Sequence, residues 1–435
     1  MRARVAAVLL AGIANAVAAA AGSMAEAATY YASPQGGGDG TVADRPALVA
    51  QLWAKVKPGG TVVLRDGTYT GADSMIAPPR GLSGTPEAPI TVRAASDGRV
   101  TLDGQSRRVP VALGGNDWFV VEGVNAHSSR DTVVSLSRSN RCIIRRVCGW
   151  DAADGNTNVF GAHHGEHNLF EDCAGWGISR KTFSCSQGGN YTVFRRCFAL
   201  WEGCHNVGPK MSMTLFYNSH HVTAENCIAT WDGRRMREAY TVHGQDGKPF
   251  TGWKDGSGRA KHLTGYGVDQ PYGCFSADRI DNGPTKEPSM FGCIAYILAS
   301  QRVAPIRAAI NIHCKQPGDG WFENTAAFVE EGARQVTPLR LTNSEGRGLT
   351  AVGSLEPSIR QCTIDNVLHA SGAEGRAAWK AMLRKEPPAR GAHIYYRYEN
   401  GKLTGKPLWP WPMNERLKTL TGLDVTATVF GLGGP

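Results

Sequence analysis

The stretch Glu171-Asp172-Cys173-Ala174-Gly175-Trp176 has three near copies elsewhere in the chain. The copies are Arg146-Val147-Cys148-Gly149-Trp150, Arg195-Arg196-Cys197 with Trp201, and Glu225-Asn226-Cys227 with Trp231. Their cysteines are 25, 24 and 30 residues apart, and Cys293 follows as a later member. Self-similarity at such a period is the signature of a solenoid, in which one structural unit is stacked many times.

Short segments before these cysteines alternate apolar and mostly polar side chains. The apolar pairs are Val134/Leu136, Val159/Gly161, Phe183/Cys185 and Met213/Leu215. A period of two is typical of a strand with one buried face. Each repeat therefore reads as a strand, a turn, a second strand, a cysteine and a loop that carries tryptophan. A stack of such coils is a parallel β-helix.

The residues two positions before the cysteines alternate in charge: Arg146, Glu171, Arg195 and Glu225. Because parallel strands lie about 4.8 Å apart, we expect an outward, exposed ladder of ion pairs. Exposed pairs contribute only about 0–1 kcal/mol each, so this ladder indicates register rather than function. We interpret the aligned cysteines as a buried stack of free thiols. Disulfides remain the alternative in an exported protein.

Composition agrees with a turn-rich β protein. The 435 residues include 53 glycines, and glycine weakens helices. With 42% hydrophobic and 20% charged residues, the chain is not of the disordered class. The formal net charge of +9 indicates an anionic partner.

The N-terminus reads as an export signal over residues 1–27. Met1-Arg2-Ala3-Arg4 precedes an apolar run from Val5 to about Ala21, and small residues follow up to Ala27. This order is typical of a secretory signal peptide, with an uncleaved anchor as the alternative. We expect a secreted or periplasmic monomer without a membrane span, and export argues against a nucleic-acid partner.

The first coils carry a pattern that is specific for fold. Helical spacing over 47–56 predicts a short N-terminal capping helix, and strands follow over 61–69, 89–94 and 101–104. At these residues the chain resembles the right-handed parallel β-helix proteins of the pectate-lyase-like superfamily, over about 29–365. The resemblance implies an all-β, right-handed parallel β-helix, which we assign to residues 28–365.

The remainder, residues 366–435, departs from the repeat. We predict a helix over 374–385, a hairpin at Asn400-Gly401 and a Trp/Pro run over 407–412. This extension is expected to cap the C-terminal end of the solenoid. For the Trp/Pro run, packing against the body is favoured over glycan binding.

The loops after the cysteines are expected to lie along one edge of the stack. Their candidate substrate-binding residues are Trp176, Arg180, Trp201, Trp231, Arg234 and Arg237. Indole faces stack on sugar rings, and guanidinium groups bind carboxylates or sulfates. The sequence therefore predicts a groove for an acidic polysaccharide.

Many proteins of the superfamily are polysaccharide lyases, and the resemblance implies a reaction. Such enzymes neutralise a uronate carboxylate with Ca²⁺ or arginine, remove the C5 proton with a lysine or arginine base, and eliminate the 4-linked sugar. Asp151, Glu202 and Asp232 are then the candidate Ca²⁺ ligands. The candidate catalytic residues are Lys181, Lys210 and Arg235, with Tyr240 or His243 as proton donor.

Several departures keep other functions open. Cys185 stands near the place of the lysine in the lyase family that binds Ca²⁺ through glutamates, and Phe216-Tyr217 stands near its arginine. The alternatives are a non-catalytic glycan-binding or envelope protein, and a glycoside hydrolase or C5-epimerase.

The histidines at 163–167 have no standard zinc spacing. The insertion over 233–272, basic over 233–262, is a candidate lid, with a disordered excursion as the alternative.

Overall fold

The chain winds into a stack of short coils. The computed structural model describes residues 27–153, 157–201, 211–231, 253–254, 260–261, 273–277, 288–299, 308–333 and 336–433. Among them, strands form one sheet of 20 members and one of nine, and every pairing in both sheets for which a register is resolved is parallel. The fold is a parallel β-helix, as the repeat predicted.

The strands follow the coils in regular order. The first half contains β1 (Thr29–Ala32), β2 (Thr61–Leu64), β3 (Gly67–Tyr69), β4 (Ile90–Ala94), β5 (Val100–Asp103), β6 (Val111–Gly114), β7 (Phe119–Glu122), β8 (Val124–His127), β9 (Val134–Ser137), β10 (Ile143–Arg145), β11 (Cys148–Trp150), β12 (Asn158–His163), β13 (Leu169–Glu171), β14 (Ala174–Trp176), β15 (Lys181–Ser186), β16 (Val193–Arg195) and β17 (Phe198–Trp201). The second half contains β18 (Met211–Tyr217), β19 (Thr223–Glu225), β20 (Ile228–Trp231), β21 (Trp253–Lys254), β22 (Ala260–Lys261), β23 (Gly273–Ala277), β24 (Ser289–Phe291), β25 (Ile294–Ile297), β26 (Ala308–His313), β27 (Gly320–Val329), β28 (Thr337–Thr342), β29 (Ser344–Val352), β30 (Ser358–Arg360), β31 (Thr363–Ala370), β32 (Tyr396–Glu399) and β33 (Lys402–Pro407).

Each central coil contributes three strands. In one such coil, β9 joins the nine-stranded sheet, and β10 and β11 join the larger sheet on either side of a corner. The backbone at this corner is left-handed in successive coils, at Arg146, Asp172, Arg196, Asn226 and Gly292. Side chains rarely adopt this conformation. Each coil therefore requires, at this corner, a residue that tolerates a left-handed backbone.

The interior of the coils is filled by apolar side chains that repeat from coil to coil. Phe160 stacks on Phe183 with ring centroids 4.6 Å apart, and Phe170 stacks on Phe194 at 5.3 Å. At the N-terminal end, helix α1 (Val49–Leu52) buries Val49 and Leu52 in the same core. The predicted capping helix is thus present, although it is shorter than the range 47–56.

The cysteine column differs from the prediction by one member. Register aligns Cys173, Cys197, Cys227 and Cys293, whereas Cys148 pairs with Ala174 and therefore lies one position away. Counting 25 residues between cysteines missed this shift, because the coil itself repeats after 26 residues at this point. The ten cysteines in the described residues are free thiols, as predicted.

The charge ladder exists, but its first member and its exposure were predicted wrongly. Arg145, not Arg146, pairs with Glu171 across the strands, and the two side chains are 2.8 Å apart. Arg195 continues the ladder to Glu171 at 3.3 Å and to Glu225 at 2.6 Å. The side chain of Arg195 is 10% exposed and that of Glu225 is 0% exposed, so this part of the ladder is buried.

The C-terminal extension covers the ladder from the side. It contains α2 (Gly372–Met382), α3 (Asn414–Thr421) and α4 (Val425–Gly431), and its hairpin β32–β33 places Asn400 2.7 Å from Arg195 and the Gly401 amide 2.5 Å from Glu225. Trp379 and Trp411 are buried against the outer side chains of the coils. The extension therefore packs along the flank of the solenoid rather than over its C-terminal end.

The described part of the chain has no candidate membrane-spanning helix. None of its helices combines the length and the apolar character that a bilayer span requires.

Candidate functional site

Many of the predicted site residues lie outside the described residues. These are Lys210, Arg235, Tyr240 and His243 among the catalytic candidates, Arg234 and Arg237 among the substrate-binding candidates, and Glu202 and Asp232 among the metal ligands. The backbone of Trp201 ends β17, but its side chain is also outside the described set. Their predicted roles stay predictions.

The described tryptophans do not form the predicted sugar platform. Trp150 and Trp176 stack at 5.0 Å, yet Trp176 is 4% exposed beneath the C-terminal extension. Trp231 is 1% exposed and belongs to the interior core. Both indoles are enclosed by protein atoms, so neither presents a free face to a sugar. Their role in this structure is packing.

Asp151 has a structural partner. Its Oδ1 accepts a hydrogen bond from the Ile178 amide at 3.1 Å, which ties the corner of one coil to the next. The described residues hold no group of three histidine, cysteine or acidic side chains suited to a metal ion. Glu202 and Asp232, the other two predicted ligands, lie outside the described residues, so the Ca²⁺ site stays a prediction.

Lys181 lies on the nine-stranded sheet and not in a loop after the cysteine. It is the first residue of β15, pairs with Asn158 of β12 and is only 6% exposed. Its Nζ is 5.2 Å from the centroid of the Tyr217 ring, a distance suited to a cation–π contact. A lysine is almost never buried without a reason, so this position is a candidate for function.

His163 joins the same cluster. Its Nδ1 is 2.5 Å from the Ser186 hydroxyl, and its Nε2 is 3.4 Å from Asn158 Nδ2. The strand register explains the grouping, because His163 and Ser186 are partners in β12 and β15, as are Asn158 and Lys181. We call Asn158, His163, Lys181, Ser186 and Tyr217 the lysine cluster.

Burial changes the protonation of the lysine cluster. Desolvation, together with the neighbouring Arg180 charge, lowers the pKa of Lys181 from 10.5 to about 7. Desolvation and the Lys181 charge lower the pKa of His163 to about 4. At neutral pH His163 is therefore uncharged, and a substantial fraction of Lys181 is a neutral amine. A neutral amine is a proton acceptor, which an ordinary surface lysine is not.

Polar atoms without partners continue along the same face. Ser184, Ser276 and Asn311 lie in one register row across β15, β18, β23 and β26, and all three side chains are buried. Ser184 Oγ, Ser276 Oγ and Asn311 Nδ2 have no hydrogen-bond partner within the described structure. Buried polar groups are normally satisfied, so such a row is suited to a polar ligand.

The low pKa of Lys181 has a measurable effect on stability. Between about pH 7 and 10.5 the unfolded chain holds one more proton at this position than the folded chain, so stability rises with pH across that range. Lys181→Met removes this dependence. Urea titrations measure the free energy of unfolding of both proteins. Between pH 7 and pH 10 we expect the wild type to gain a few kcal/mol relative to the variant.

The pH range of that measurement excludes His163, which contributes only between about pH 4 and 6.5. If the free energies of unfolding of the wild type and of Lys181→Met differ by the same amount from pH 7 to pH 10, Lys181 has an ordinary pKa. Lys385→Met, at an exposed position, is the matched control and should not change the pH dependence.

Comparison with known proteins agrees with the fold. The sequence model of the family described as chondroitinase B matches residues 45–182, about a third of the chain. This chain is a parallel β-helix protein. The resemblance to the pectate-lyase-like superfamily is thus confirmed at the level of fold. No curated protein matches the chain at a significant level.

Three solved structures illustrate the likeness. A rhamnogalacturonan lyase is 13% identical with a TM-score of 0.48, and the match covers 87% of this chain and 96% of that one. An alginate lyase from Paenibacillus sp. str. FPU-7 is 12% identical with a TM-score of 0.43, covering 78% and 99%. The pectate lyase Pel9A is 17% identical with a TM-score of 0.41, covering 71% and 77%.

Sequence reasoning missed most of the lysine cluster. The sequence makes His163 a candidate only for metal binding, predicts no role for Ser186, and assigns Lys181 to a loop. His167 and His221, from the same histidine-rich turns, stack on the two sides of Tyr191 at 4.6 Å. The missed signal was the pairing between coils, because the register sets Asn158 beside Lys181, Gly161 beside Ser184 and His163 beside Ser186.

Proposed function

We propose that the protein is a polysaccharide lyase that cleaves an acidic, uronate-containing polysaccharide by β-elimination. The observation that carries the proposal is the buried Lys181, whose pKa of about 7 makes it a base at neutral pH. A general base works best when its pKa lies near the working pH. The match of residues 45–182 to the chondroitinase B family supports the same class of reaction.

The proposed step needs only a proton acceptor at C5 of the uronate. The neutral Lys181 amine takes the C5 proton, the electron pair forms the C4–C5 double bond, and the C4–O bond breaks. The departing oxygen then receives a proton, for which Tyr240 and His243 remain the proposed donors. His163 stays uncharged beside Lys181, so it does not place a second positive charge on the base.

The positive charge of the chain supports an acidic substrate. Arg180 precedes the base in sequence, and the formal net charge is +9. A cation near the carboxylate of the sugar stabilises the charge that develops when the C5 proton leaves. We keep Lys210, Arg234, Arg235 and Arg237 as proposed contributors to this charge.

The experiment is a panel of acidic polysaccharides: pectate, alginate, chondroitin and dermatan sulfates, and bacterial exopolysaccharides. Elimination produces an unsaturated sugar that absorbs in the ultraviolet, and the products have the mass of the chain without added water. Each reaction is run with and without a chelator, which tests the proposed Ca²⁺ requirement. Inactivity on the whole panel would overturn the proposal.

The same base also fits a C5-epimerase, since epimerisation begins with removal of the same proton. Product analysis separates the functions: an epimerase changes the uronate composition without shortening the chain, and a hydrolase adds water. A non-catalytic glycan-binding protein gives retention on the polysaccharide without any product.

We further propose that the protein is exported, because residues 1–27 have the order of a signal peptide. Mass spectrometry of the mature protein recovered from the periplasm or the culture medium tests this. A mature chain that still contains residues 1–27 would contradict cleavage.

A further inference from the structure

A second feature lies on the same outward face of the nine-stranded sheet, near its C-terminal end. It is a cavity of about 440 Å³. Its lining residues are His313, Arg340, Thr342, Ser358, Arg360 and Gln361. All six are polar, and two are arginines. We call this cavity the arginine pocket.

Strand register builds the arginine pocket. Arg340 of β28 lies between Asn311 of β26 and Ser358 of β30, and Thr342 lies between His313 and Arg360. The alternating residues Ile310, Ile312, Leu339 and Leu341 are buried in the core. The polar members of these strands are therefore on the outer surface of the solenoid, where they converge on one cavity.

His313 orders the floor of the pocket. Its Nδ1 is 3.2 Å from the Thr342 hydroxyl, and its Nε2 is 3.1 Å from Asn311 Oδ1. Asn311 is 1% exposed, and its Nδ2 has no partner within the described structure. Asn311 is not among the lining residues, and its contact with Nε2 orients the His313 ring that does line the pocket.

The two arginines are not neutralised by the protein. Within the part of the chain described, neither Arg340 nor Arg360 forms an ion pair, whereas Arg145, Arg195 and Arg347 each contact a glutamate. Arg340 is half-buried and Arg360 is exposed. Two guanidinium groups without an acidic partner, in a cavity that Thr342 and Ser358 also line, form a site for an anion with several acceptor oxygens.

We propose that the arginine pocket binds a carboxylate or sulfate group of an acidic polysaccharide, as a subsite remote from the point of cleavage. The inference rests on the proposed function for the identity of the chain. The register row from Ser184, three residues after Lys181 on β15, to Arg340 crosses four strand spacings, which is about 19 Å. A polysaccharide lying along the sheet reaches both sites, whereas a single sugar does not.

The test is affinity electrophoresis in native gels that contain polygalacturonate, alginate or dermatan sulfate, with neutral dextran as the uncharged control. The variants are Arg340→Gln, Arg360→Gln and the double variant. Arg99→Gln with Arg107→Gln, two exposed arginines elsewhere on the solenoid, removes the same charge and is the matched control. Because Arg360 is exposed, its variant keeps the fold, which circular dichroism verifies.

We expect retardation of the wild type in at least one acidic gel and a loss of affinity of about tenfold for each arginine removed, with little change in the control pair. Equal losses in both double variants would overturn the proposal, because they would show a general charge effect. Wild-type mobility that is the same in every acidic gel and in dextran would overturn it as well.

A further arm separates this inference from the proposed function. Lys181→Met should keep the gel retardation and lose turnover, whereas the arginine variants should raise KM on long chains and leave kcat unchanged. Retardation that depends on Arg340 and Arg360 in a protein without any turnover supports the pocket and refutes the lyase. Turnover that does not depend on these arginines supports the lyase and refutes the pocket.

Discussion

Lys181→Met is expected to reduce product formation by at least about 10²–10⁴-fold, the usual contribution of a general base. Methionine fills most of the volume of the lysine stem, so the cluster around His163 and Tyr217 keeps its packing while the amine is lost. The measurement is the initial rate of the ultraviolet signal on whichever polysaccharide of the panel is cleaved.

The pH profile gives this prediction a second readout. If the neutral amine of Lys181 is the base, kcat/KM should rise with pH and level off above about pH 7, where the amine loses its proton. An ordinary lysine would put this rise near its usual pKa of 10.5. Full activity in Lys181→Met, or a profile that ignores the region around pH 7, would rule out Lys181 as the base.

The control for this experiment is Lys385→Met. Lys385 is exposed in the C-terminal extension, after helix α2, and the change removes the same charge from the protein. We expect wild-type rates and the wild-type pH profile. A loss of activity in this variant as well would attribute the effect to overall charge instead of to the lysine cluster.

Arg195→Met is expected to destabilise the protein by about 3–5 kcal/mol, the usual effect of removing one partner from a buried ion pair. Glu225 would then remain fully buried without its closest cation, and Glu171 would lose one of three arginines. The hairpin would also lose the contact between Arg195 and Asn400. Urea unfolding followed by circular dichroism measures the change.

Arg347→Met is the matched comparison. Arg347 pairs with Glu323 at 3.0 Å, between the 2.6 and 3.3 Å of the two Arg195 pairs, but its side chain is 66% exposed. An exposed pair contributes about 0–1 kcal/mol, so this variant should remain close to the wild type. Equal destabilisation by the two changes would show that burial beneath the C-terminal extension does not set the strength of the ladder.

The electrostatics of the ladder agree with this expectation. Burial alone would raise the pKa of Glu171, but Arg196, Arg145 and Arg195 outweigh it and hold the pKa below its usual value. The arginines Arg195 and Arg196 have raised pKa values, because their bonds to Glu225 and Asp172 outweigh desolvation. The network therefore remains charged over the whole neutral range.

The repeat could be recognised from the chain because each coil needs the same few side chains. A cysteine fits the crowded interior, an acidic or basic residue pairs with its neighbour on the next strand, and a residue that tolerates the left-handed corner follows. The period alone did not give the register. Cys148 looks like a member of the cysteine column, but its coil contains one residue more than the cysteine spacing suggests.

The candidate site was harder to predict because it depends on contacts between coils. Trp176 and Trp231 have the composition of a sugar platform, yet the extension and the core enclose them. The sequence indicates a lowered pKa for Lys181 because Arg180 is beside it, and the Arg180 charge does contribute to the shift. The larger cause of its low pKa is burial, which no local pattern in the sequence reveals.

The sequence by itself determined the coil, the parallel stack, the free thiols and the alternating charges, since all of these follow from local patterns that recur at one period. Tertiary structure alone decided which charges are buried, where the extension packs, and which polar residues share the face of the nine-stranded sheet. The physical reason is that burial and register are set by residues from different coils. Asn158 and Lys181 are 23 positions apart in the chain and become neighbours only when one strand lies directly on the next.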